Sequence, residues 1–205
     1  MRPTLRTLFL HGSDILKSPG MQIAKENMQH GSVSVFEHSV CVALVCLWLV
    51  HRLHLKVNQR ALVRGALLHD YFLYDWHTPD PAHRLHGFRH AGTALRNADR
   101  DFELNDTERD MIKKHMFPLN PAPPRFKETA VLCLADKYCA LRETVLQRKK
   151  RISENSKSPA EEICGSFCMI GFGLSFGIFR LVNQKATREN VYLCDDIAQA
   201  VSGND

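Results

Sequence analysis

The chain has 205 residues, enough for one domain and an accessory segment but too few for two domains of ordinary size. Hydrophobic residues at 44% and charged residues at 24% exclude a wholly disordered, collagen-like or coiled-coil chain. A net charge of +5 suits an anionic small molecule as well as RNA and selects neither.

Residues 1–27 read as a lead-in. Their apolar run, Leu8 to Leu10, is too short for a signal peptide, so the cytoplasm is the expected location. Ser18-Pro19-Gly20 is a turn or helix-start signal, and Met21 to His30 reads as a short helix broken at Gly31. Next comes a long core helix with Ser34 as N-cap and Glu37 completing a capping box. Its run Val40 to Val50 is apolar nearly all round and, at eleven residues, short for a membrane span. Asn58 caps a second helix that ends at His69-Asp70. Tyr71 to Pro81 is aromatic, proline-containing and irregular. Helices are predicted over 87–99, from Asn105 to about Met116, and from Lys127 to about Leu146. Between the last two, four prolines in Phe117 to Pro124 require a loop. No strand is expected, so the fold class is all-α.

The residues after 147 differ in character. The basic run Arg148 to Arg151 reads as a solvated helix end favoured by the helix dipole, so nucleic acid is not an expected partner. Ser153 to Pro159 reads as a polar linker. Residues 163–179 carry no charge, and Gly173 and Gly177 form a G-x-x-x-G pair. This segment is a candidate membrane anchor, the competing readings being a buried glycine-rich segment or a tail. The domain division is therefore 1–27, 28–147 and 148–205. Seven cysteines, with no C-x-x-C pair, argue against a disulfide framework. Cys41, Cys46, Cys133 and Cys139 read as small buried hydrophobes in a reducing compartment.

The informative feature is a series of histidines and aspartates. His38, His69-Asp70, His90, His115 and Asp136 fall on or at the ends of separate predicted helices. Imidazole and carboxylate suit zinc, iron, manganese and related divalent ions, and helical bundles build such sites from inward-facing side chains. Asp70 follows Ala66-Leu67-Leu68, and Asp136 follows Val131 to Ala135. A carboxylate leaving an apolar run needs a partner or a metal.

The order H…HD…H…H…D, in the pieces FEHSVCVA, GALLHDYF, HGFRHAGTAL, IKKHMFPL and CLADKYCAL, resembles the HD-domain metal-dependent phosphohydrolases over roughly residues 28–145. The resemblance implies a helical bundle with His38, His69, Asp70 and Asp136 as shared ligands. His90 and His115 match the additional histidines of two-metal branches, so one or two divalent ions per chain are implied. His86, one turn before His90, becomes a substrate-contacting residue. The implied activity is hydrolysis of a small phosphorylated substrate, a nucleotide or related molecule, by metal-activated water. A catalytically inactive metal-binding regulatory module is the alternative. Arg84, Arg89, Lys113 and Lys114 lie beside the ligands in sequence and are candidates for phosphate contact, with Arg89 and Lys114 preferred. Tyr71, Tyr74 and Trp76 are candidates for stacking on a base. The lysine or glutamate that many two-metal members carry after the HD pair is missing. Asp75 is the nearest carboxylate and, with Asp70, the catalytic candidate. The glycine-tyrosine-proline motif of cyclic di-GMP phosphodiesterases is absent around 115–124, so that substrate is not expected.

Overall fold

A computed structural model describes residues 3–30, 33–76 and 86–155. In chain order these form α1 (Pro3–Leu16), α2 (Pro19–Glu26), β1 (Met28–His30), β2 (Val33–Ser34), α3 (Val35–Arg52), α4 (Gln59–Leu68), α5 (His86–Asp101), α6 (Asp106–Lys114) and α7 (Lys127–Asn155). The all-α class holds, with one local exception. Residues 28–30 are not the end of a helix but pair antiparallel with residues 33–34, in an irregular register with Met28 opposite Ser34 and His30 opposite Val33. The candidate anchor at 163–179, Arg84 and most of the expected linker lie outside the described residues.

Packing divides the chain into Met1–Val145 and Leu146–Asp205; in the second unit only the end of α7, to Asn155, is described. Helix α7 thus continues through the basic run, past the expected end at Leu146. Residues 3–26, read as a lead-in, are two helices that pack on the core: α1 contacts α3 and α4, and α2 contacts α3.

Helix α3 is the centre. The Ser34 hydroxyl accepts from the Glu37 N–H, and Glu37 Oε2 accepts from the Ser34 N–H at 2.8 Å, completing the capping box. By length and composition α3 could cross a membrane, but 78% of it is buried inside the protein, which is how a core helix behaves. Val42, Leu44, Cys46 and Leu49 of α3 and Leu62, Leu67 and Leu68 of α4 are all buried, and the two helices pack on each other. Each large aliphatic side chain buried this way contributes about 1.5–3 kcal/mol.

Helix α4 starts at Asn58, whose side chain accepts from the Ala61 N–H. Asn58 N–H also donates to Glu128 Oε1 at 2.8 Å, fixing the start of α4 to the start of α7. Asn105 opens α6 with a second capping box, completed by Glu108. The chain after Asp70 is held by Asn97 of α5, whose Nδ2 donates to the carbonyls of Tyr71 and Phe72, both at 3.1 Å. Leu73 then adopts φ 60°, left-handed and costly for a leucine by roughly 1–2 kcal/mol. A side chain at Gly20 would collide with the Tyr71 hydroxyl, so the bare glycine lets α2 approach this segment.

Candidate metal centre

Five elements deliver the six ligand-type side chains foreseen in the sequence. Helix α3 brings His38, the end of α4 brings His69 and Asp70, α5 brings His90, the end of α6 brings His115, and α7 brings Asp136. All six are buried. They form two groups, His38–His69–Asp136 and Asp70–His90–His115, and within each the ligand atoms lie within 4.8 Å of one another.

Asp70 stands between the groups. Its Oδ2 faces His69 Nε2 at 3.3 Å and His38 Nε2 at 4.0 Å. Its Oδ1 faces His90 Nε2 and His115 Nε2, both at 3.4 Å. Asp136 Oδ1 closes the first group, 3.2 Å from His38 Nε2 and 3.7 Å from His69 Nε2. In the second group the Nε2 atoms of His90 and His115 are 2.9 Å apart.

Local backbone sets which nitrogen faces the centre. His69 and His115 are the C-caps of α4 and α6, where carbonyls have no intrahelical partner. His69 Nδ1 lies 2.8 Å from the Ala66 carbonyl, and His115 Nδ1 lies 2.9 Å from that of Ile112. A carbonyl only accepts, so Nδ1 donates in both rings. In a neutral ring the Nε2 lone pair then points inward, as a metal ligand requires. His38 Nδ1 meets both carboxylate oxygens of Glu143, each at 3.0 Å.

The electrostatics follow from this crowding. Burial favours the neutral form of Asp70, but the charge of His69 and the close ring nitrogens of His115, His69 and His90 hold its pKa well below the usual carboxylate range. Burial likewise opposes ionisation of Asp136, and the bond from His38 with the nearby His69 ring overcomes it, so its pKa is also lowered. Burial disfavours protonated His69, yet Asp70 and Asp136 lift it to about 10. His38 is raised by Asp136 and Glu143 against the same burial. At His115 burial prevails and the value falls.

The donor set fits a divalent ion. Nitrogen and carboxylate oxygen are the ligands such ions take, and His69 Nε2 and Asp70 Oδ1 are buried atoms without a hydrogen-bond partner in the protein. A cavity of about 710 Å³ opens on the second group. Asp70, His90, His115 and Asp136 line it, with Gln29, Trp76, Met116, Leu119 and Lys137.

Three residues around the centre were missed in the sequence. Gln29 arrives on β1 and donates from Nε2 to Asp70 Oδ2 at 2.6 Å, while its Oε1 has no protein partner. Its signal was hidden because it depends on a pairing 41 residues away and on an unexpected strand. Lys137 donates to the carbonyls of His115 and Cys133 and is the one cation among the described lining residues. Glu143 had a legible signal: seven residues after Asp136 in a predicted helix, it shares that residue's face.

Other expected residues stand elsewhere. Arg89 is exposed, and Lys114 pairs with Asp110 at 2.6 Å; neither lines the cavity. The reason is helical geometry, since each directly precedes an inward histidine and so sits about 100° around its helix. Lys113 is exposed as well. Asp75 is exposed and does not line the cavity. His86 begins α5, and its side chain lies outside the described residues. Of the three aromatic candidates only Trp76 lines the cavity. Tyr71 packs edge-on against Phe102 and donates to Asp101, and Tyr74 packs on Phe72. Cys41, Cys46, Cys133 and Cys139 are buried free thiols, as expected.

A family model described as HD domain matches residues 35–141, just over half of the chain. No curated protein and no solved structure matches.

Proposed function

Because the chain belongs to the HD-domain superfamily of metal-dependent phosphohydrolases, we propose that it hydrolyses a phosphate ester of a nucleotide or related small molecule. One observation carries the reading: two buried ligand groups joined by Asp70, the second opening on a cavity that Asp136 of the first also lines. His38, His69 and Asp136 would hold one divalent ion, and Asp70, His90 and His115 a second. A divalent ion at such a site supplies a Lewis acid for the phosphoryl oxygens and brings the pKa of water to about 7.

The chain's own groups complete the reaction. Asp70, with an oxygen toward each group, sets the spacing of the two and orients what lies between them. Gln29 holds Asp70 Oδ2 by donation and keeps Oε1 as an acceptor for a hydrogen of the attacking water. The Lys137 ammonium offsets phosphoryl charge at the cavity wall. Trp76, Met116 and Leu119 give an apolar surface for the organic part, and the volume falls in the range of small-molecule sites. A protonated side chain for the leaving group is not supplied by Asp75, which is exposed. This observation favours a second reading, a cation-binding regulatory module without turnover.

The test is hydrolysis by chelated protein reloaded with manganese, iron, zinc or magnesium, over a panel of nucleotides and simple phosphomonoesters. Cation-dependent release of phosphate, lost in His69→Ala, is the expected result. Bound cation without turnover on any ester would favour the regulatory module. Turnover that survives both chelation and His69→Ala would sink both.

A further inference from the structure

The inference deepens the metal-dependent reading and rests on it. We propose that Glu143 is a positioning residue that orients and strengthens His38 as a ligand of the first cation group.

The need for it comes from where His38 sits. His69 and His115 end their helices, where leftover carbonyls hold the outer ring nitrogen. His38 lies in the first turn of α3, where the carbonyls are taken by N–H groups further along the helix. An anchor for its outer nitrogen must come from another element. Helix α7 provides it: Asp136 and Glu143, seven residues apart on one face, take the two sides of the same imidazole. Asp136 Oδ1 is 3.2 Å from Nε2, and both Glu143 oxygens are 3.0 Å from Nδ1.

Burial makes the pairing specific. The His38 side chain is 0% exposed and that of Glu143 is 8% exposed. A carboxylate in that position is costly unless it is bonded. It confers three things on the ring: the Nδ1–H tautomer, a fixed plane, and more electron density at Nε2 than a backbone carbonyl gives. His38 thereby has a charged anchor, whereas His69 and His115 have neutral ones.

The experiment uses the full chain, chelated and then titrated with manganese and with zinc by calorimetry, with thermal melts of each variant. Glu143→Ala should weaken one of the two cations, the one at the first group, by about 10–100-fold. Glu143→Gln, which keeps an acceptor of the same reach, should recover most of that loss. The other cation should change less in both. Wild-type affinity in the two variants, with lowered melting temperatures, would overturn the proposal and leave Glu143 as a clamp between α3 and α7. Should Glu143→Ala fail to fold, wild-type affinity in Glu143→Gln alongside wild-type affinity in Glu143→Leu overturns it equally. If the unmodified chain takes up no cation, or His69→Ala binds as well as the wild type, the underlying reading falls first and this proposal with it.

Discussion

Helix α4 contributes to two groups of charged side chains, and they are built differently. At its end, His69 and Asp70 join four more acceptor-rich groups, four of the six lining the cavity. In its middle, Arg64 is 4% exposed and bonds to Asp14 of α1 at 2.6 Å. Its Nε also faces Glu108 of α6 at 3.4 Å as an ion pair without hydrogen-bond alignment. Around Arg64, a permanent cation meets anions, and the charges close on themselves. Around Asp70, the inward atoms are ring nitrogens and carboxylate oxygens, all lone-pair bearers once the rings are neutral. Each contains buried charge, at Arg64 and Glu108 in the first and at Asp70 in the second. The surplus of converging acceptors, open to a cavity, belongs only to the second, and that surplus separates a site from a structural clamp.

The strongest way to break the comparison is Asp70→Ala. It should remove cation binding at both groups and cut cation-dependent hydrolysis by at least about a thousandfold, roughly 4 kcal/mol of barrier. Elemental analysis and steady-state rates check it, and near-normal turnover would end the division drawn here. Next is Arg64→Met, which takes the buried cation from Glu108 and leaves it the exposed Arg60 at 3.7 Å and the Asn105 N–H. Unfolding should cost about 3 kcal/mol less, read by urea denaturation, while the folded variant keeps its full cation content. Loss of cations at unchanged fold would mean that the two groups are one system.

A subtler measurement sharpens the contrast. Ligands must be deprotonated to bind an ion. His69, lifted to about 10, and His38, also raised, carry protons at pH 7, whereas Asp70 and Asp136 are held ionised. Filling the first group should release about two protons per ion, measurable by calorimetry in buffers of different ionisation enthalpy. Stability has the matching sign. His69 binds its proton more tightly folded than unfolded, so chelated protein keeps this contribution below pH 6.5 and loses it as pH rises through about 10. The Asp70 and Asp136 contributions run oppositely, present above the ordinary carboxylate range and lost in strong acid. The smallest effect belongs to Arg89→Ala. At an exposed position off the cavity, it should leave rates within about twofold and stability within about 0.5 kcal/mol.

What could be read from the sequence divides along physical lines. Helix starts at Ser34, Asn58 and Asn105 were legible because a cap and its partner lie three residues apart. The six ligand-type residues were legible because their order and apolar surroundings are written along the chain. Gln29, Lys137 and Arg64 were not, since each owes its role to a neighbour far off in sequence. Arg89 and Lys114 misled through adjacency, because being next to a ligand on a helix means pointing away from it.

His69 and His115 each use one ring for two tasks, tying off the last turn of a helix and facing the centre. The ends of α4 and α6 therefore fray only by withdrawing a ligand. An ion held by these rings would suppress that local opening. Amide exchange in the final turns of both helices should slow on cation loading far more than in the middle of α3, and the rate of ion escape should follow the rate at which those turns unwind.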